Sequence, residues 1–201
     1  MLDMTKDFAR YDPVWRKAEP YMRARKNDIH IPLSFRWAAR LLEDYTEADR
    51  DVCLLAVLLH DIGWYAIDME DIIEKGFSGP NMLQSDVRYL HEAEGVRMGT
   101  EVLEATGWDA DMIGQVCEII DGHDTRPEPR HLNDRIVRDA DKLWRFDVTG
   151  IAVASDWFKL TPHGYAERLE DQKSTLETEA GRNFATEALA ASRNMLMLHV
   201  I

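Results

Sequence analysis

The sequence predicts an all-α protein. Apolar residues recur at helical spacing along most of the chain, and alternating apolar–polar runs of the strand type are nearly absent. At 201 residues, the chain is long enough for one domain with a sizeable core. The expected architecture is a single helical bundle over residues 1–201, with a core at about 21–145 and further helices at about 150–201 packed on it.

Taken in order, a first helix is expected from about Val14 to Arg25, interrupted at Pro20. A second begins at Pro32, which suits a first helical turn. Phe35, Ala38, Ala39, Leu41 and Leu42 give its apolar face, so His30 stands at its entrance. The third runs from about Glu47 to His60, with Thr46 as N-cap. Its last turns, Leu54 to Leu59, are apolar on every side, as in a helix buried all round. His60 and Asp61 follow, and then Gly63. From Tyr65 to Asp86 the pattern gives way to a long acidic connection, the kind of segment that often serves as a lid. Helices then follow from about Val87 to Ala105, from about Ala110 to Ile120, and from about Leu132 through Asp141. Two or three more cover Gly150 to His199, with breaks near Thr161-Pro162 and Gly181. The apolar end, Met195 to Ile201, is expected to dock on the body or to contribute to a homodimer.

Composition excludes several functions. A net charge of −13 argues against binding a nucleic-acid polymer, which needs basic surface. No run of residues is apolar and long enough to span a membrane, and no signal-peptide pattern opens the sequence. Cys53 and Cys117 each lie in an apolar helical context and form no CxxC, as expected of buried thiols in a reducing cytoplasm.

The chemistry-bearing residues form a spaced series. His30, His60, His91 and His123 stand 30, 31 and 32 positions apart, each near a predicted helix end. In an antiparallel bundle, ends separated by two elements lie on the same side, so these residues can converge. A buried Asp61 at such a place needs a partner. A metal ion is the natural one, since imidazole and carboxylate are both good ligands. With Asp141 the set offers six N and O donors, enough for two ions if Asp61 bridges them, and paired metals are a common device for hydrolysing phosphate esters.

His30, His60-Asp61 and Asp141, in the contexts Leu-Leu-His-Asp-Ile-Gly and Asp-Ala-Asp-Lys-Leu, resemble the H…HD…D signature of the HD-domain superfamily of metal-dependent phosphohydrolases. The resemblance covers roughly Tyr21 to Trp144. It implies that His30, His60, Asp61 and Asp141 hold a first divalent metal, and that His91 and His123 occupy the places of the extra histidines in binuclear members. Acidic neighbours, Glu92 and Asp124, are expected to orient these two imidazoles. The implied cofactor is one or two transition-metal ions: Mn, Fe, Co, Ni or Zn. The implied reaction is attack of metal-activated water on a small phosphate ester or nucleotide, with a small anionic phosphorylated substrate as partner. Asp61 and Lys142 are then candidate catalytic residues, Lys142 and Arg126 candidate phosphate ligands, and Asp68 or Glu70 candidate general acids. His131, His163 and His199 fit no position of the pattern.

The same resemblance admits a second activity. Some HD-fold proteins use a mixed-valent di-iron pair on a similar six-residue set to cleave a C–P or C–C bond with O₂, and Tyr21 is a pointer in that direction. A non-enzymatic binding module is disfavoured by the intact His-Asp pair. A cyclic-dinucleotide phosphodiesterase is disfavoured because neither a paired His-His nor a Gly-Tyr-Pro signature is present.

Overall fold

The computed structural model describes residues 4–68, 72 and 85–197. Every regular element among them is helical: α1 (Met4–Ala18), α2 (Asn27–Asp44), α3 (Arg50–Leu59), α4 (Asp86–Ala105), α5 (Ala110–Ile120), α6 (Leu132–Leu143), α7 (Val148–Trp157), α8 (Pro162–Gln172) and α9 (Glu179–Met195), joined in places by 3₁₀ turns.

The central element is α3. Every residue from Val52 to Ile62 is buried, which is why that run carries no polar face. Helices α1, α2, α5 and α6 pack around it, and α4 packs on α5 and on the 3₁₀ turn Ile62–Ala66 that follows the His-Asp pair. That last packing is unusually close. A Cβ on Gly63 would stand 2.0 Å from the carbonyl oxygen of His91 and 2.4 Å from the amide nitrogen of Gly95. Two glycines, Gly63 and Gly95, thus bring His91 to the end of α3.

The chain beyond α6 shares the same core. Ile151, Leu169, Leu176, Ala185 and Leu189 join the cluster that contains α3. Asp139 of α6 anchors the start of α9, accepting from the Glu177 and Thr178 amides at 2.7 and 2.8 Å and from the Thr178 hydroxyl at 2.6 Å. The Ser192 hydroxyl donates to the Phe146 carbonyl at 2.7 Å.

Several expected boundaries move. α1 starts at Met4 and stops at Ala18, because Pro20 falls in a 3₁₀ turn rather than a kinked helix. Arg25 and Lys26 then take left-handed φ of 52° and 59°. α2 begins at Asn27, five residues before Pro32, so His30 lies inside its first turn rather than before it. The cap of α3 is Asp49, whose carboxylate accepts from the Val52 amide at 3.0 Å, and not Thr46. Gly181 is in the first turn of α9, behind the Thr178 cap, and the break falls before it. His131 caps α6, its Nδ1 accepting from the Asp134 amide at 3.2 Å. Most of the expected connection from Tyr65 to Asp86, Glu70 included, lies outside the described residues, as does His199. No helix among the described residues is long and apolar enough to cross a membrane.

Candidate metal centre

The six predicted ligands meet at one end of the bundle. His30 comes from the first turn of α2 and His91 from the second turn of α4, His60 directly follows α3, His123 stands three residues after α5, and Asp141 lies near the end of α6. His60 and His91 are fully buried, and His30, Asp61 and His123 nearly so.

Asp61 sits between two histidine pairs. Its Oδ2 lies 3.4 Å from His30 Nε2 and 3.8 Å from His60 Nε2. Its Oδ1 lies 3.6 Å from His91 Nε2 and 3.5 Å from His123 Nε2. On the first side Asp141 Oδ1 is 3.2 Å from His30 Nε2 and 3.4 Å from His60 Nε2. Two groups that could hold a metal result, His30–His60–Asp61 and Asp61–His91–His123, and they share the aspartate.

The tautomers make these groups good donor sets. His60 Nδ1 donates to the Val57 carbonyl at 2.7 Å, and His123 Nδ1 donates to the Ile120 carbonyl at 2.9 Å. A carbonyl can only accept, so in each neutral ring the proton is on Nδ1 and the Nε2 lone pair points inward. Two such lone pairs facing two carboxylates repel unless cationic charge stands among them. The unloaded protein meets that need with protons. Burial pushes His123 down, but the hydrogen bond to Asp61 and the charges of Asp124, Asp61 and Glu92 prevail and raise it to about 9. Burial and the neighbouring His123 lower His91 to about 3, and the two facing Nε2 atoms stand 3.4 Å apart. Burial acts against ionisation of Asp61, yet His60, Arg25, His123 and His30 together hold its carboxyl well below the ordinary range.

A second layer of residues holds this set in place. Trp64 Nε1 donates to Asp61 Oδ1 at 2.9 Å, while its indole stacks on the His91 ring with centroids 4.1 Å apart. The Arg25 guanidinium lies over the same indole at 4.4 Å and within 3.4 Å of Asp61 Oδ2. Asn27 Nδ2 donates to the Asp61 carbonyl at 2.9 Å. Glu92 accepts from the amides of Asp124 and Thr125 at 2.8 and 2.9 Å and from the Thr125 hydroxyl at 2.6 Å. It therefore fixes the turn that carries His123 and not, as expected, the imidazole itself, whose Nδ1 is 3.9 Å away. Asp124 pairs instead with Arg88.

The centre opens into a cavity of about 500 Å³ between the α5–α6 connection and helices α7 and α8. Seven of its lining side chains are Arg or Lys and three are Asp or Glu, so a strongly acidic chain presents a cationic interior here.

A model of the HD domain family matches residues 28–145, more than half of the chain. The chain belongs to the HD domain family. No curated protein matches the sequence. Among solved structures, it is similar to a predicted HD superfamily hydrolase from an uncultured Thermotogales bacterium, with 17% identity, a TM-score of 0.65, and coverage of 99% of this chain and 98% of that one. That likeness extends the shared fold past the matched segment, through α9.

Within this HD domain the other candidate residues differ in availability. Arg126 lines the cavity, but its guanidinium donates to Asp134 Oδ2 at 2.7 Å and to the carbonyls of Glu118 and Asp121, which ties down the α5–α6 connection. Lys142 also lines the cavity, with Nζ donating to the Thr175 carbonyl at 2.8 Å and 4.0 Å from Glu177. Asp68 is exposed. Tyr21 packs edge-on against Tyr65, with ring centroids 5.3 Å apart, and no hydrogen bond joins it to the ligand set among the described residues. Three residues of the site were not singled out from sequence: Arg25, Trp64 and Arg145. The signal for two of them was spacing, since Trp64 follows Asp61 by three and Arg145 follows Asp141 by four, the separations at which helical side chains become neighbours. Arg25 carried no such signal, because a left-handed turn brings it in.

Proposed function

We propose that the protein is a metal-dependent phosphohydrolase acting on a small phosphate ester or nucleotide. The observation that carries this reading is the division of Asp61 between two imidazole pairs, one oxygen to each. When bound there, a pair of divalent transition-metal ions supplies an acidified water and neutralises charge on phosphoryl oxygens. His30, His60, Asp61 and Asp141 would hold one ion, and Asp61, His91 and His123 the other.

The chain's own groups do the rest. Trp64 and Arg25 fix the Asp61 carboxylate, and the Val57 and Ile120 carbonyls fix the two rings that follow α3 and α5. Arg145 stands 3.9 Å from Asp141 Oδ2 on the cavity side, where its guanidinium meets an incoming phosphoryl group. Lys142 and Arg126 supply positive potential from the wall, although both have other partners. The buried floor around Trp64 and His91 keeps bulk water from the ligand set. The hydrolase description of the similar structure supports the same reaction class.

The test measures metal content together with phosphate release from a panel of phosphate esters and nucleotides, under anaerobic conditions. The expected result is one or two transition-metal ions per chain and release without O₂. Asp61→Ala is expected to lose both. An active, fully metallated Asp61→Ala protein would sink the assignment, and O₂ consumption by a coupled di-iron pair would replace hydrolysis with oxygenation.

A further inference from the structure

The cavity is larger and more cationic than one phosphoryl group at the metal centre requires. Its basic side chains fall into two kinds, engaged and available, and Arg25 beside Asp61 and Lys142 on the Thr175 carbonyl belong to the first. Arg126 and Arg138 share Asp134, and Arg88 pairs with Asp124. Arg145 and Arg168 have no such close partner. Among the described residues, the carboxylate that pairs with Arg145 is Asp141 at 3.9 Å, and none pairs with Arg168, whose guanidinium lies 4.3 Å over the Phe158 ring. Phe158 in turn stacks on Tyr165, with centroids 5.7 Å apart and planes 14° apart. Tyr165 is 1% exposed, lines the cavity, and has no hydrogen-bond partner for its hydroxyl among the described residues. A buried hydroxyl without a partner is costly, and a guanidinium on a cavity wall without an anion forgoes its strongest interaction.

Arg145, Tyr165 and Arg168 therefore form a wall leading away from Asp141. Tyr165 and Arg168 are three apart on α8 and share a face. Burial pushes the Tyr165 phenol up against the pull of Arg145 and Arg168, so its hydroxyl keeps its proton and can donate. Both α8 residues lie outside the segment matched by the HD domain model. The far part of this wall is therefore a feature of the chain's C-terminal part, while Arg145, the last residue of the matched segment, joins it to the metal-binding core.

We propose that Arg168 and Tyr165, with Arg145 between them and the metal centre, bind a second anionic group of the substrate, a carboxylate or a second phosphate. This rests on the phosphohydrolase reading for the first group, which the metal centre holds. Arg168 and Tyr165 are then specificity-determining residues, and the preferred substrate carries a second anionic group besides its phosphate, unlike a simple alkyl phosphate.

The test is calorimetric binding to the metal-loaded protein as purified. The probes are phosphonocarboxylates and α,ω-bisphosphonates of increasing chain length, each compared with the alkylphosphonate of equal length. At the matching length, at least one doubly anionic probe is expected to bind tenfold or more tightly than its alkylphosphonate. Which series gains identifies the second group. Arg168→Gln should abolish the gain, and Tyr165→Phe, which keeps the ring stack, should reduce it several-fold while metal content is unchanged. Equal binding of probes with one and with two anionic groups at every length overturns the proposal, as does a gain that survives in Arg168→Gln. Because the C–P bond resists hydrolysis and the titrations are run without O₂, nothing in the measurement turns over and the outcomes separate. A gain without phosphate release from any ester keeps the subsite and removes the hydrolase reading, and phosphate release without a gain does the reverse.

Discussion

Trp64 makes the most specific contact to the ligand set. Its indole N–H is committed to the same Asp61 oxygen that faces His91 and His123, and its ring face carries His91. Groups that orient a ligand typically contribute roughly 10–100-fold to metal affinity. Trp64→Phe keeps an aromatic face and removes only the donor, so metal affinity is expected to fall by about that factor in a competition titration with a chromogenic chelator. Unchanged affinity would mean that Asp61 is held without the indole. A second consequence concerns pH. In metal-free protein His123 is raised to about 9 by Asp61 and its acidic neighbours, which outweigh burial. A histidine raised on folding contributes stability that is complete below its unfolded value of about 6.5 and is lost as pH rises through its folded value. The melting temperature of chelator-treated protein should therefore fall between about pH 6.5 and about pH 9. On the proposed two-metal reading a metal would take the place of that proton, so loaded protein should lack this fall. A flat or rising profile in the chelated sample would show that His123 does not carry this proton.

At the scale of elements, the approach of α4 to the turn after α3 sets the distance between the two histidine pairs. The contact is made backbone to backbone across Gly63 and Gly95, leaving no room for a methyl group at Gly63. Overpacking a dense interior typically costs about 1–3 kcal/mol, and the blocking atoms here belong to backbone, which cannot rotate away. Gly63→Ala is thus expected to destabilise by about 3 kcal/mol or more in denaturant unfolding and to displace His91. Gly114, in α5, provides the contrast, since no heavy atom beyond its own helix lies within 4 Å of the place a methyl carbon would take there. Gly114→Ala should be neutral or stabilise by about 0.5–1 kcal/mol, the helix-propensity gain. Equal effects at the two positions would refute the close-approach argument.

Across the whole molecule, the six predicted ligands lie on, or within three residues after, five helices, α2 through α6, so metal binding by all six would tie together most of the bundle. A ligand that binds only the folded state stabilises it by about 2.7 kcal/mol at a hundredfold excess over its dissociation constant. Chelation is therefore expected to lower the melting temperature by several degrees, and re-addition of the native metal to restore it. A chelated protein that melts with the loaded one would place the metal outside the folding equilibrium. The charge distribution has the same breadth. The whole chain carries a net charge of −13, while the cavity beside the metal centre is lined by more Arg and Lys than Asp and Glu. Composition alone could not reveal that enclave, because a sum over residues contains no positions.

Helix class, the buried apolar run of α3 and the convergence of His30, His60, Asp61, His91, His123 and Asp141 were legible in the sequence. Periodicity and a spacing of about thirty residues are local properties that an antiparallel bundle translates directly into helix faces and shared ends. Helix starts were less legible, since Asp49 rather than Thr46 caps α3 and Asn27 rather than Pro32 opens α2. Which capping contact forms depends on where packing halts the helix. The roles of Arg126, Lys142, Arg145, Tyr165 and Arg168 were decided only by tertiary structure. A cation's availability depends on whether a carboxylate or carbonyl from a distant segment reaches it first, and in this fold Asp134 claims Arg126 while no carboxylate among the described residues claims Arg168.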